Sequence, residues 1–134
     1  MDARRRQDLW ALAIENLQAA SLTAQQGWYN VSVACSYYAV FTAMWVALGD
    51  PPRGKWEHGG IFRHFAWGYW QDPPAPLERP LTKAIRRAFN DRVKAHYKGV
   101  RLTRDESADN VITARQTLHR VAITFSLPQG GIPP

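Results

Sequence analysis

Arg92 and His96 are the residues of this sequence whose types and spacing most suggest chemistry. An imidazole can take and give a proton near neutral pH, and a guanidinium can hold an anion through its planar fork of donors. The two lie four apart, which on a helix sets one above the other. At about 100° of turn per residue, residues 81–97 (LTKAIRRAFNDRVKAHY) place Leu81, Ile85, Ala88 and Phe89 on one apolar stripe. Lys83, Arg87, Asn90, Lys94 and Lys98 fall opposite. Arg92 and His96 project near the middle of the apolar stripe, where leucine would be expected. A buried guanidinium is costly unless it finds a charged or hydrogen-bonding partner. Two readings follow from spacing alone. Either Arg92 pairs internally with a carboxylate such as Glu15 and His96 is a packed core histidine, or the stripe opens there into a cleft or a subunit interface.

The charge pattern bears on what such a cleft would hold. Formal net charge is +6, and eight of the seventeen basic residues fall between Lys83 and Arg104, against one acid, Asp91, in that window. A basic field of this density favours phosphate-bearing partners such as RNA or nucleotides, with Lys94, Lys98 and Arg101 as the candidate binding residues. His58 and His64, six apart, do not share a helix face, and one cysteine makes no cluster, so neither a metal nor another cofactor is expected. Cys35 sits in an apolar helical run, excludes an internal disulfide and points to a reducing cytoplasm.

The elements that position the pair follow from periodicity. At 134 residues, with 46% apolar content, the chain is long enough for one core and too short for two domains. Trp10, Ala13, Ile14, Leu17, Ala20 and Ala24 recur at three- and four-residue steps over 3–26, with Gly27 as terminator. Asn30 can cap a second helix to Leu48, apolar on more than one face and hence the most buried. Gly49 and Asp50-Pro51-Pro52 end it, and a loop runs to Glu57. Residues 58–70 give a short helix, weakened by Gly59, Gly60 and Gly68. Pro73, Pro74 and Pro76 precede the central helix, which tolerates Pro80 in its first turn and closes at Gly99. Thr103 and Glu106 form a capping-box pattern that opens a last helix to Phe125. The expected architecture is an all-α, antiparallel up-and-down bundle of four to five helices over 1–127, with 128–134 as a frayed tail. No stretch is read as reaching the roughly 18 apolar residues of a membrane span, and the N-terminal segment lacks a signal-type apolar run, so the chain is read as soluble and cytoplasmic.

With the helices placed, three motifs resemble the HEPN domain. Tyr37-Tyr38-Ala39 with Phe41 looks like the Tyr-Tyr-Ala-x-Phe signature of its second helix, and His58-Gly59-Gly60-Ile61 like the start of its third. Arg92-Val-Lys-Ala-His96-Tyr97 is similar both to an Arg-x-x-Ala-Asp-Tyr form and to the Arg-x(4 to 6)-His motif of the ribonuclease branch. The resemblance spans about Leu9 to Phe125. It implies a homodimer whose Arg and His residues face each other across the interface, with Arg92 and His96 catalytic in a metal-independent ribonuclease toxin. Its runner-up implication is a non-catalytic alternative, a nucleotide-binding or scaffolding subunit beside a nucleotidyltransferase antitoxin, with Tyr97 as a nucleotidyl acceptor.

Overall fold

The computed structural model describes residues 1–134, and every regular element in it is helical. The helices are α1 (Ala3–Gln25), α2 (Tyr29–Leu48), α3 (His58–Trp67), α4 (Arg79–Tyr97) and α5 (Arg104–Phe125). Local signals set most boundaries. Asp2 caps α1 by accepting from the Arg5 N–H at 2.8 Å. Pro80 lies in the first turn of α4, where its missing N–H is harmless. At α5 the full capping box is closed: Glu106 N–H donates to Thr103 Oγ1 and Thr103 N–H to Glu106 Oε1.

α2 is the axis of the bundle and packs against all four other helices. The three residues between α1 and α2 reverse the chain, so these two run antiparallel along their length. The core is a continuous set of aliphatic and aromatic side chains, with Ala13, Leu17, Val40, Met44, Phe65, Ile85 and Leu118 fully enclosed.

Three expectations are corrected. By length and mean hydropathy, 1.6, α2 is apolar enough to cross a membrane, contrary to the reading that no stretch comes near; 61% of that window is buried inside the bundle, as a central helix requires. Asn30 caps nothing. α2 starts two residues earlier, at Tyr29 with Trp28 as its N-cap, and Asn30 instead grips the α4–α5 connection, donating to Val100 O and accepting from Leu102 N–H. α3 stops at Trp67 because Gly68, at φ 78°, turns the chain out. The tail beyond α5 lies against α1: Trp10 Nε1 donates to Pro128 O, Gln18 Nε2 to Gly131 O, and Ile132 is buried. A buried indole N–H needs an acceptor, and the tail carbonyl supplies it.

Candidate functional site

α4 carries Arg92 into the bundle, where it is 7% exposed. Its guanidinium meets no acid. None of the three salt bridges in the chain includes it, and Glu15, a candidate partner from the sequence, is exposed on α1. Asp91, its neighbour along the chain, is buried but turned to α5, where Asn110 Nδ2 donates to it at 2.9 Å. What surrounds Arg92 is tyrosine. Its Cζ lies 5.0, 5.2 and 5.4 Å from the ring centroids of Tyr37, Tyr38 and Tyr97. One terminal nitrogen donates to Tyr38 Oη at 3.0 Å and more weakly to Tyr97 Oη at 3.4 Å. Three π faces and two neutral oxygens compensate a desolvated cation without neutralising it. The charge is therefore balanced by no acid within the chain.

Tyr37 links this cage to α3. Its Oη lies 2.6 Å from His58 Nδ1. Burial pushes the Tyr37 phenol well above its ordinary range, opposed in part by Arg92, so the hydroxyl keeps its proton. His58 moves the other way. Burial lowers its pKa, the charges of Arg92 and Lys55 add to the lowering, and Glu57 opposes it. Since the folded value lies below the unfolded one of about 6.5, the unfolded chain binds more protons in that range. The contribution is intact above about pH 6.5 and is lost as pH falls through the folded value. The melting temperature should thus drop more steeply between about pH 7 and pH 5.5 in the native protein than in His58→Gln. Parallel melting curves across that range would refute this.

The other sequence candidates are distributed unequally. His96 lies on the last turn of α4 and is exposed, not a core histidine: from His96 to Val100 every residue is exposed, so the apolar stripe has outrun the bundle. Tyr97, 70% exposed, stays with Arg92 and not with solvent alone. Lys94 and Lys98 line a shallow depression of about 450 Å³ on the outer side of α4, together with Lys83, Arg86 and Arg87. Arg101 is exposed on the connection to α5. His58 and His64 take separate partners, Tyr37 Oη and Gly60 O. Cys35 is half-buried, and burial raises its thiol pKa, which makes it a poor nucleophile.

Sequence reasoning did not place Tyr37, Tyr38 or His58 in the site. Tyr37 and His58 are 21 positions apart, and no spacing rule joins them. A signal was nonetheless present, because these three residues carried the motif resemblance.

The fold and site together define an all-α five-helix bundle with a tyrosine-caged, acid-free arginine on its fourth helix. Over 115 residues the chain is 27% identical to the Methanocaldococcus jannaschii protein named "Putative toxin MJ0605", an alignment spanning 86% of this chain and 84% of that one. No family model matches the chain.

Proposed function

We propose that this protein is a toxin of the HEPN type, a metal-independent endoribonuclease that acts as a homodimer with Arg92 and His96 at the interface. The observation that carries the reading is the guanidinium of Arg92, held in place by three tyrosines and left without a carboxylate. The name of the archaeal relative supports the toxin class. The exposed apolar side chains of the cage itself, Tyr38 and Tyr97, with Val100 just beyond the end of α4, support pairing with a second copy.

In this reading one imidazole removes the proton of a ribose 2′-hydroxyl, whose oxygen attacks the adjacent phosphorus. The bond from phosphorus to the 5′-oxygen breaks, and that oxygen takes a proton from a second imidazole. The products are a 2′,3′-cyclic phosphate and a 5′-hydroxyl. His96 is the exposed imidazole beside the cage, and a two-fold axis supplies its second copy. Arg92 stabilises the charge that builds on the phosphorane oxygens. Lys94, Lys98 and Arg101 hold the flanking phosphates.

Incubation with RNA in EDTA, with analysis of the ends formed, tests the proposal. His96→Ala should lower cleavage by about 10²–10⁴-fold and remove the cyclic phosphate product. Equal cleavage by both proteins, or none by either, sinks the nuclease reading.

A second reading is favoured by Tyr97 alone. Its hydroxyl is exposed and 3.4 Å from the Arg92 guanidinium, a setting suited to receiving a nucleotidyl group from a partner nucleotidyltransferase acting as antitoxin. Under that reading the protein is a nucleotide-binding or scaffolding subunit; the Tyr97 oxygen bonds to the α-phosphorus of ATP as the α–β anhydride bond breaks and pyrophosphate leaves, and the intact mass rises by one adenylyl group after incubation with the partner and ATP. Tyr97→Phe would not gain that mass.

A further inference from the structure

An apolar cavity of about 280 Å³ between α2, α3 and α4 has no role in the step above. Buried Met44 and Ile85 form its floor. Its walls are aromatic: the rings of Tyr37, His58 and Phe89 lie with centroids 5.5, 5.8 and 6.0 Å apart, and half-buried Phe62 faces the same space. The Tyr37 hydroxyl keeps its proton and shares a hydrogen bond with His58 Nδ1, which leaves Nε2 as the ring nitrogen outside that bond. A lining that is mostly apolar thus also carries the polar groups of His58, Arg86 and Asn90.

The cavity is not isolated. Arg86 and Asn90 line both it and the basic depression on α4, and the Arg86 guanidinium lies 5.6 Å from the Phe62 ring centroid at the boundary between them. A ligand that fits both must be flat and apolar at one end and anionic at the other. We propose that the cavity receives one unstacked nucleobase of a single-stranded RNA whose phosphates run along the Lys83, Arg87, Lys94 and Lys98 face. The proposal rests on the reading of this protein as one that acts on RNA, and adds to it a site that selects where RNA is held. Bases pulled out of the stack are recognised by aromatic faces and by hydrogen bonds to their edges, and Nε2 of His58 and the exposed amide of Asn90 provide for both donor and acceptor edges. A free mononucleotide offers the same base and phosphate chemistry. The basic residues from Lys83 to Lys98 extend for about 22 Å along the helix, longer than a single phosphate requires, and this favours the strand.

The test is equilibrium binding of a fluorescein-labelled hexanucleotide that is 2′-O-methylated throughout, so that no 2′-hydroxyl attack occurs and binding is read apart from cleavage. Removing one base from the hexamer should weaken binding to the native protein about tenfold. Phe62→Leu and Gly59→Leu should erase that difference. The second variant protects against misfolding: Gly59 is exposed on the first turn of α3, and only Arg63 Nη1, at 4.0 Å, approaches the position of an added Cβ. Arg87→Gln should weaken all hexamers alike and reduce the salt slope by about one. The proposal is overturned if abasic and intact hexamers bind equally, or if both cavity variants melt normally and keep the base dependence. It is also overturned if 5′-mononucleotides saturate the protein while the hexamer shows no base dependence. Absence of any hexamer binding overturns the RNA reading as well, whereas base-dependent binding of this hexamer together with no cleavage of the unmethylated RNA of the same sequence overturns the catalytic reading alone.

Discussion

Arg92→Met is expected to leave the melting temperature unchanged or slightly raised while reducing the RNA cleavage proposed above by at least about 100-fold. The two halves of this expectation come from the same observation. A guanidinium that is 7% exposed and has no acid partner has exchanged hydration for three rings and two hydroxyl oxygens. Cation–π contacts are worth about 0.5–2 kcal/mol each when well placed, and desolvation of the ion costs several. Methionine fills a similar volume, brings no charge, and packs well against aromatic rings. Tyr38 and Tyr97 are exposed enough, 43% and 70%, to give their hydroxyls to water once the arginine is gone. No buried carboxylate is stranded, and that stranding is what makes the loss of one member of an internal ion pair cost about 3–5 kcal/mol. A fall in melting temperature of more than about 10 °C would mark Arg92 as structural, since each kcal/mol corresponds to roughly 4 °C at this chain length. Arg92→Lys adds a finer control. It retains the charge and gives up the fork, so partial activity is expected if the guanidinium engages a phosphate.

The same residue shows how far a sequence can be read. That Arg92 lies among core positions was legible from the wheel, because burial of Leu81, Ile85 and Ala88 follows from period alone. Its partners were not. A sequence offers carboxylates as the obvious counterparts of a buried cation, whereas here α2 brings tyrosine faces and oxygens, a choice made by how two helices pack. His96 fails for another reason. The wheel assumes that neighbours extend as far as the helix does, and α4 outlasts them by its final turn. Helix ends specified by local chemistry were visible: Thr103 with Glu106, Pro80, and Gly27 following α1. Features made by distant contacts were not, among them Asn30 holding the loop before α5, Ile132 buried by the returning tail, and His58 meeting Tyr37.

Gly68→Ala is expected to destabilise the protein by about 3–5 kcal/mol, the largest effect of any single glycine change. Two causes add at this position. Its φ of 78° is strained for alanine by about 1 kcal/mol. Far more serious, a Cβ built there would stand 1.5 Å from Ala75 O and 2.5 Å from Ala75 C, backbone atoms that no rotamer change can move. The loop after α3 returns to this point and is fastened there: Ala75 N–H donates to Gly68 O at 3.3 Å, and Leu77 N–H to Ala66 O at 2.9 Å. Displacing it would disturb Gln71, which bonds Arg120 of α5, and would draw Leu77 out of the core. Trp70, stacked on Phe65 with centroids 4.7 Å apart, would lose its seat as well. Gly54→Ala separates the two causes. There φ is 59° but nothing lies within 4 Å of an added Cβ, so only the conformational strain of about 1 kcal/mol remains. Urea unfolding of both variants measures the difference, and equal midpoints would show that the close approach at Gly68 contributes nothing. Because the same loop leads directly into α4 and follows the helix that carries His58, Gly68→Ala should also loosen the aromatic wall beside Arg92, with activity falling before the protein unfolds.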